Sequence, residues 1–164
     1  MDIEWAGRWT GIAYDIDGSE MWRVEFPNGT TNAGITNNLS VYLGGGTQST
    51  TWYLGLIDNA GFSTLAAADT MASHAGWTEA TTYTEATRPT WTPGAAAGQS
   101  ITNPTEVTFS INGTVTLAGA FIVSNNTKSG TSGTLWAHGQ FSSLQSLVNG
   151  QSFKLSYTCT GSGS

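Results

Sequence analysis

Charge is what this chain has least of. Asp, Glu, Lys and Arg make up 10% of its 164 residues, against roughly 25% in an ordinary soluble domain. The shortage is sharpest on the basic side. Arg8, Arg23, Arg88, Lys128 and Lys154 stand against eleven acids, for a formal net charge of -6. Five dispersed cations cannot neutralise a row of phosphates, so nucleic acid is excluded as a partner. Cysteine is as scarce: Cys159 is alone, which rules out an intrachain disulfide and a thiolate zinc site. No apolar run approaches the roughly 18 residues of a membrane span. The opening Met1-Asp2-Ile3-Glu4 carries neither the basic nor the apolar stretch of a secretory signal, and none is expected.

Groups that do chemistry are equally thin. His74 and His138 are the only imidazoles. His74 with Asp69 could be imagined to activate a hydroxyl, but no Gly-x-Ser-x-Gly elbow accompanies them, and both histidines are expected to be structural or on the surface. Asp15-Ile16-Asp17-Gly18-Ser19-Glu20 resembles a calcium loop superficially. Its glycine follows the third ligand position instead of the fifth, and Phe26 stands at the twelfth, so it reads as a solvated turn. Asp58, Asp69, Glu79 and Glu85 are carboxylates that nothing in the sequence pairs as glycoside hydrolysis requires. The expectation is no enzyme, no metal and no cofactor.

What the chain has is polarity without charge. Thr (26), Ser (17), Gly (21) and Asn (10) account for 74 residues, while aromatics hold at 11% and include seven tryptophans. That is too aromatic for disorder. The acids are unevenly placed: all eleven lie in residues 1–106, six of them in the first 25. Residues 107–164 hold two lysines and no acid.

Along the chain, residues 9–26 predict a β-hairpin, with Asp17-Gly18 as the turn. Residues 32–43 predict a short helix: Ile35, Leu39 and Tyr42 recur at helical spacing, Thr31 or Asn32 can cap it, and Gly44-Gly45-Gly46 stops it. Thr51–Ile57 is an apolar strand. Residues 63–74 suggest one or two further helical turns. Thr81–Glu85 is a short candidate strand, and 88–104 a long Pro/Gly/Ala loop or edge segment. Val107–Ile111 alternates cleanly, and Val115–Val123 is apolar enough to be buried on both faces. Residues 124–134 read as a flexible polar loop, Leu135–Ala137 as a short strand, and Phe153–Cys159 as an alternating one. Short strands at roughly ten-residue spacing, divided by Asn-Gly, Asp-Gly and Pro-Gly turns, indicate a mainly β protein. The expected fold is an antiparallel β-sandwich or jelly roll with one or two short helices. The division expected is an N-terminal arm over 1–10, one sandwich domain over 11–160 and a disordered tail over 161–164.

Trp5, Trp9 and Trp22 fall within the first 25 residues. Trp5 and Trp9 precede the first hairpin, with too little local sequence to bury themselves. They either pack on their own domain or dock on a partner subunit, where tryptophan is enriched at anchors. Trp5, Trp9 and Trp22 are therefore the candidate partner-binding residues. Trp77, Tyr83 and Trp91 flank the Pro/Gly loop and form a candidate platform for a sugar ring.

The runs FPNGTTNAGITNNL, TTWYLGLIDNAGFSTLAAADTMASHAGWTE and ATRPTWTPG resemble a family of small structural proteins of tailed bacteriophages. The C-terminal VTLAGAFIVSNNTKSGTSGTLWAHGQFSSLQSLVNGQSFKLSYT resembles the same family. The likeness covers roughly residues 26–160 and leaves the first 25 outside it. It implies a virion structural protein, foremost a capsid decoration or cement protein binding the major capsid protein or other virion proteins. Such a protein is made in the host cytoplasm and resides on the capsid surface, often as a homo-oligomer, with no membrane. A tail, neck or fibre position is the alternative, and a carbohydrate-binding module a second one.

Overall fold

A computed structural model describes residues 3–163. In chain order the elements are β1 (Ile3–Tyr14), β2 (Glu20–Pro27), β3 (Gly29–Thr30), α1 (Asn32–Leu43), β4 (Trp52–Asp58) and β5 (Thr78–Ala80). Then follow β6 (Thr90–Trp91), β7 (Ser100–Thr102), β8 (Val107–Ser110), β9 (Val115–Val123), β10 (Leu135–Leu147) and β11 (Ser152–Gly163). They form two antiparallel sheets packed face to face, a β-sandwich with one short helix. The first sheet runs β2-β1-β11-β7, with β8 also on β11; the second runs β3-β10-β9-β4-β5, with β6 also on β4. No helix among the described residues is long and apolar enough to cross a membrane.

The two ends of the chain are joined. β1 pairs with β11 from Ile3 opposite Gly163 to Tyr14 opposite Ser152. Residues 3–10 are thus the first two thirds of strand β1 and not an arm. Residues 161–163 are likewise strand and not a disordered tail; Met1, Asp2 and Ser164 lie outside the described residues. The local sequence conceals this because a strand's partner can lie anywhere along the chain, and here it is some 150 residues away.

The predicted hairpin forms from β1 and β2. Asp17 shapes its turn by accepting hydrogen bonds from the Ser19 amide (2.9 Å) and hydroxyl (2.6 Å). Gly18 takes the φ of 84° that other residues resist.

β9 is buried on both faces. Val115, Leu117, Ala120 and Ile122 face the space between the sheets, while Ala118, Phe121 and Val123 face the opposite way. The alternation slips between Leu117 and Ala120, where the pairing with β4 passes from Gly119 opposite Ile57 to Leu117 opposite Asp58. That extra residue is a β-bulge. The outer face is covered by residues 59–77, which carry Met71 and Trp77 against Ile57, Phe121 and Leu135.

The helical turns expected over 63–74 are absent. This stretch consists of turns and isolated bridges. Ala66, Ala67 and Ala68 are exposed, and the Asp69 carboxylate takes the Ala66 amide (2.9 Å), a local bond that competes with helix formation. The Thr81–Glu85 strand shrinks to β5, slightly upstream, and a single bridge at Tyr83 opposite Ile111. The 88–104 segment supplies two short edge strands, β6 and β7.

Asn103 joins the edge strands β7 and β8, which line up along the same side of β11. β7 pairs with residues 158–160 and β8 with 152–155. In the gap between them Asn103 Oδ1 accepts from the Tyr157 amide (2.8 Å), and its Nδ2 donates to Leu155 O (3.3 Å). The side-chain amide stands in for the missing peptide group, so the buried ladder leaves no orphan there.

Candidate functional site

The three candidate tryptophans have three different fates. Trp9 is fully buried between the sheets, stacked on Phe26 (5.9 Å between centroids) and tilted against Tyr157 (4.3 Å). It is a core residue and unavailable as a surface anchor. Trp22 is half-buried and packs on Phe153 (5.6 Å). Only Trp5 reaches the surface as a large exposed ring, at 37% accessibility. The proposed sugar platform does not form either, because Trp77, Tyr83 and Trp91 are all buried. Trp77 packs inward from the covering segment and Tyr83 and Trp91 lie in the core between the sheets, where burial of a large ring outweighs its exposure at a loop.

Trp5 instead belongs to a groove at the end of the sandwich where β1 and β4 begin and β9 and β11 approach their ends. The groove has a volume of about 210 Å³ and is walled by Trp5, Trp52 and Trp136, with Asn37, Asn38, Val41 and Tyr42 of α1 on one side. Gln48 and Ser49 close its rim. Trp136 is central: it meets Trp5 at 5.9 Å and 78°, and Trp52 at 6.1 Å and 64°, both edge to face. A shallower trough continues past Trp5 and Tyr42 toward Gln99, Ser100 and Ser162.

The floor is held rigidly. Trp136 Nε1 donates to the Tyr157 hydroxyl (3.1 Å), which also accepts from Asn28 Nδ2 (2.9 Å). Trp91 Nε1 donates to Asn103 Oδ1 (3.0 Å). Burial holds the Tyr157 phenol well above its ordinary value and raises the Cys159 thiol as well. Both groups in the floor therefore stay neutral at physiological pH, and no Asp, Glu, Lys, Arg or His lines the groove or the trough.

Helix α1 forms the groove's wall and inverts the expected amphipathicity. Its one buried residue is Gly34, where a Cβ would lie 2.5 Å from Trp136 O. The glycine lets the helix backbone lie directly on β10. The residues at helical spacing, Ile35, Leu39 and Tyr42, all point outward, and with Leu43 the first two form an exposed ridge at i, i+4 and i+8, Leu39 at 56% and Leu43 at 83% exposure. Thr31 caps the helix by accepting from the Gly34 amide (3.0 Å), as the sequence predicts.

Two polar clusters lie elsewhere. Asp69 pairs with His138, not with His74. His138 Nε2 lies 3.0 Å from Ala66 O and 3.3 Å from Asp69 Oδ2, and the same carboxylate oxygen accepts from Trp77 Nε1 (2.9 Å). His74 stacks on Trp77 (3.9 Å). Together these bonds pin the covering segment to β10. In the second cluster, Arg88 is buried and grips Glu79 through Nε (2.9 Å) and Nη2 (2.8 Å). Arg88 also donates to Asn125 O and Gly130 O, both at 2.9 Å. Lys128 adds bonds to Tyr83 O and Glu85 O while lying 3.8 Å from the Tyr83 ring. The loop 124–134, expected to be flexible, is thus anchored at both sides. Among the described residues no group of three or more His, Cys, Asp or Glu is gathered as a metal centre would need.

Sequence reasoning missed the groove's polar wall and Asn103. Asn37-Asn38 inside a helix is the one local signal that could have flagged it, since asparagine is a poor helix former and is out of place there without a reason. No family model matches the chain, and no curated protein is significantly similar to it in sequence.

Proposed function

We propose that this is a bacteriophage virion structural protein, a capsid decoration or cement protein that docks on the coat shell through the outer ridge of α1. The observation that carries the reading is Ile35, Leu39 and Leu43 exposed in one row on a helix whose other side is seated on the sandwich. Water-facing apolar rows of this kind mark protein interfaces. The surface around the row is rich in Ser, Thr and Asn and poor in charge, which suits the polar rim of a closely packed, repeated contact. The sequence resemblance to phage structural proteins points the same way.

The test is co-sedimentation with empty coat shells of the phage that encodes the chain. Leu39→Asp with Leu43→Asp is expected to abolish shell binding while leaving the circular dichroism spectrum unchanged, because neither side chain packs in the core. Full shell occupancy by the double variant would sink the docking face. Copy number in purified virions separates head from tail: hundreds per particle fit a shell protein, a handful a tail or neck component.

A further inference from the structure

The groove behind α1 is independent of the outer ridge and has a chemistry of its own. Four tryptophans, Trp5, Trp52, Trp91 and Trp136, line a space that the protein's own side chains leave unfilled. Asn37, Asn38 and the exposed Gln48 also line it, and among the described residues their side chains make no hydrogen bond to the rest of the chain. An amide both donates and accepts, as a hydroxyl does.

The lining discriminates among ligand classes. A charged ligand would be stripped of water with no counter-charge to meet it. A purely apolar ligand would bury the amides without partners, which costs about 1–3 kcal/mol for each group. A ring with an apolar C–H face and a rim of hydroxyls satisfies both walls: the C–H face lies on the electron-rich indole surface, and the hydroxyls meet the amides. The volume of about 210 Å³ falls below the roughly 300–1,000 Å³ of sites for drug-sized ligands, which suits one sugar ring. The trough beyond Trp5, with Gln99, Ser100 and Ser162 along it, leads outward for a second unit. Trp136 and Trp91 are already fixed by their bonds to Tyr157 and Asn103, so little ordering is needed on binding.

We propose that this groove binds a neutral oligosaccharide, with one pyranose ring against Trp5, Trp52 and Trp136 and its hydroxyls on Asn37, Asn38 and Gln48. The site does not depend on the capsid reading.

The test is calorimetric titration of the full chain, with tryptophan emission followed in parallel, using maltotriose, cellotriose, chitotriose and mannotriose. A uronate-containing trisaccharide serves as the charged comparison. At least one neutral sugar should bind with a dissociation constant of about 1 mM or lower and shift the emission, and the uronate should not bind. Asn38→Ala and Gln48→Ala should each weaken binding by about three- to tenfold, the worth of one hydrogen bond, with the melting temperature unchanged. Trp5→Ala should weaken it by more than about tenfold. The proposal is overturned if none of the four neutral sugars binds at about 20 mM, if only the uronate binds, or if all three variants bind like the parent. Leu39→Asp with Leu43→Asp should leave sugar binding intact and Asn38→Ala should leave shell binding intact, so the two readings fail separately.

Discussion

Gly34 and Arg88 show how much single positions decide in this fold. Gly34 allows α1 to touch β10 backbone to backbone, and a methyl group there would sit 2.5 Å from Trp136 O. Gly34→Ala should therefore cost about 1–3 kcal/mol in a urea denaturation, even though alanine is the better helix former. An unchanged or raised midpoint would show that the helix can lift off without penalty. Arg88 is a different case. Its side chain is fully buried and the side chain of its carboxylate partner Glu79 is 5% exposed. Arg88→Met should destabilise by about 3–5 kcal/mol, because it leaves Glu79 charged with no counter-charge and only the Ser129 amide (2.7 Å) as a partner. Replacing both, with Glu79→Leu added, should recover much of the loss. If the single variant proves as stable as the parent, the clasp contributes nothing to holding the 124–134 loop.

At the level of elements, the pairing of β1 with β11 changes what a truncation means. Removing residues 3–10 takes away the two thirds of β1 that lie opposite residues 156–163 and extracts Trp9 from the core. The truncated chain should lose cooperative unfolding in near-ultraviolet circular dichroism, and not merely its docking. A well-folded truncated domain would restore the picture of a separable arm. Helix α1 teaches a related lesson. Its periodicity correctly marks a helix with an apolar stripe, and its cap and glycine stop fall where expected. Periodicity reports that one side is apolar but not what lies opposite it. Here the sandwich already has a full core, and the contact is made by a glycine, leaving the stripe outside. Residues 63–74 of the covering segment do not form the expected helical turns for the opposite reason, since the Asp69 side chain takes up the Ala66 amide locally.

For the whole molecule, three buried acids set the response to alkali. Tyr83, Tyr157 and Cys159 are all pushed above their ordinary values of 10.0, 10.0 and 9.0, in each case chiefly by burial. In the unfolded chain they ionise at those ordinary values, while the folded chain keeps its protons, so the native state binds more protons above about pH 9. Stability is then complete below that pH and falls as pH rises, by up to about 1.4 kcal/mol per pH unit for each group that is ionised only when unfolded. Urea midpoints at about pH 8, 9.5 and 11 should decline in that order, and a flat profile would contradict the burial of these groups.

The amino-acid sequence by itself determined the class of this protein and much of its local structure. Alternating apolar residues, Asp-Gly and Asn-Gly turns and a nearly uncharged composition specify strands that need a second sheet to cover them. The run from Val115 to Val123 also announced burial on both faces. Those are local properties, written in the period of side chains and the conformational preferences of turn residues. Tertiary structure alone decided which tryptophan is core and which is surface, because β1's neighbours come from the far end of the chain. It also decided that α1 turns its apolar row to solvent, and that Trp5, Trp52 and Trp136 meet the amides of α1 across one groove. Five separate segments supply that groove's key walls, and no spacing along the chain encodes a meeting that exists only once both sheets have closed.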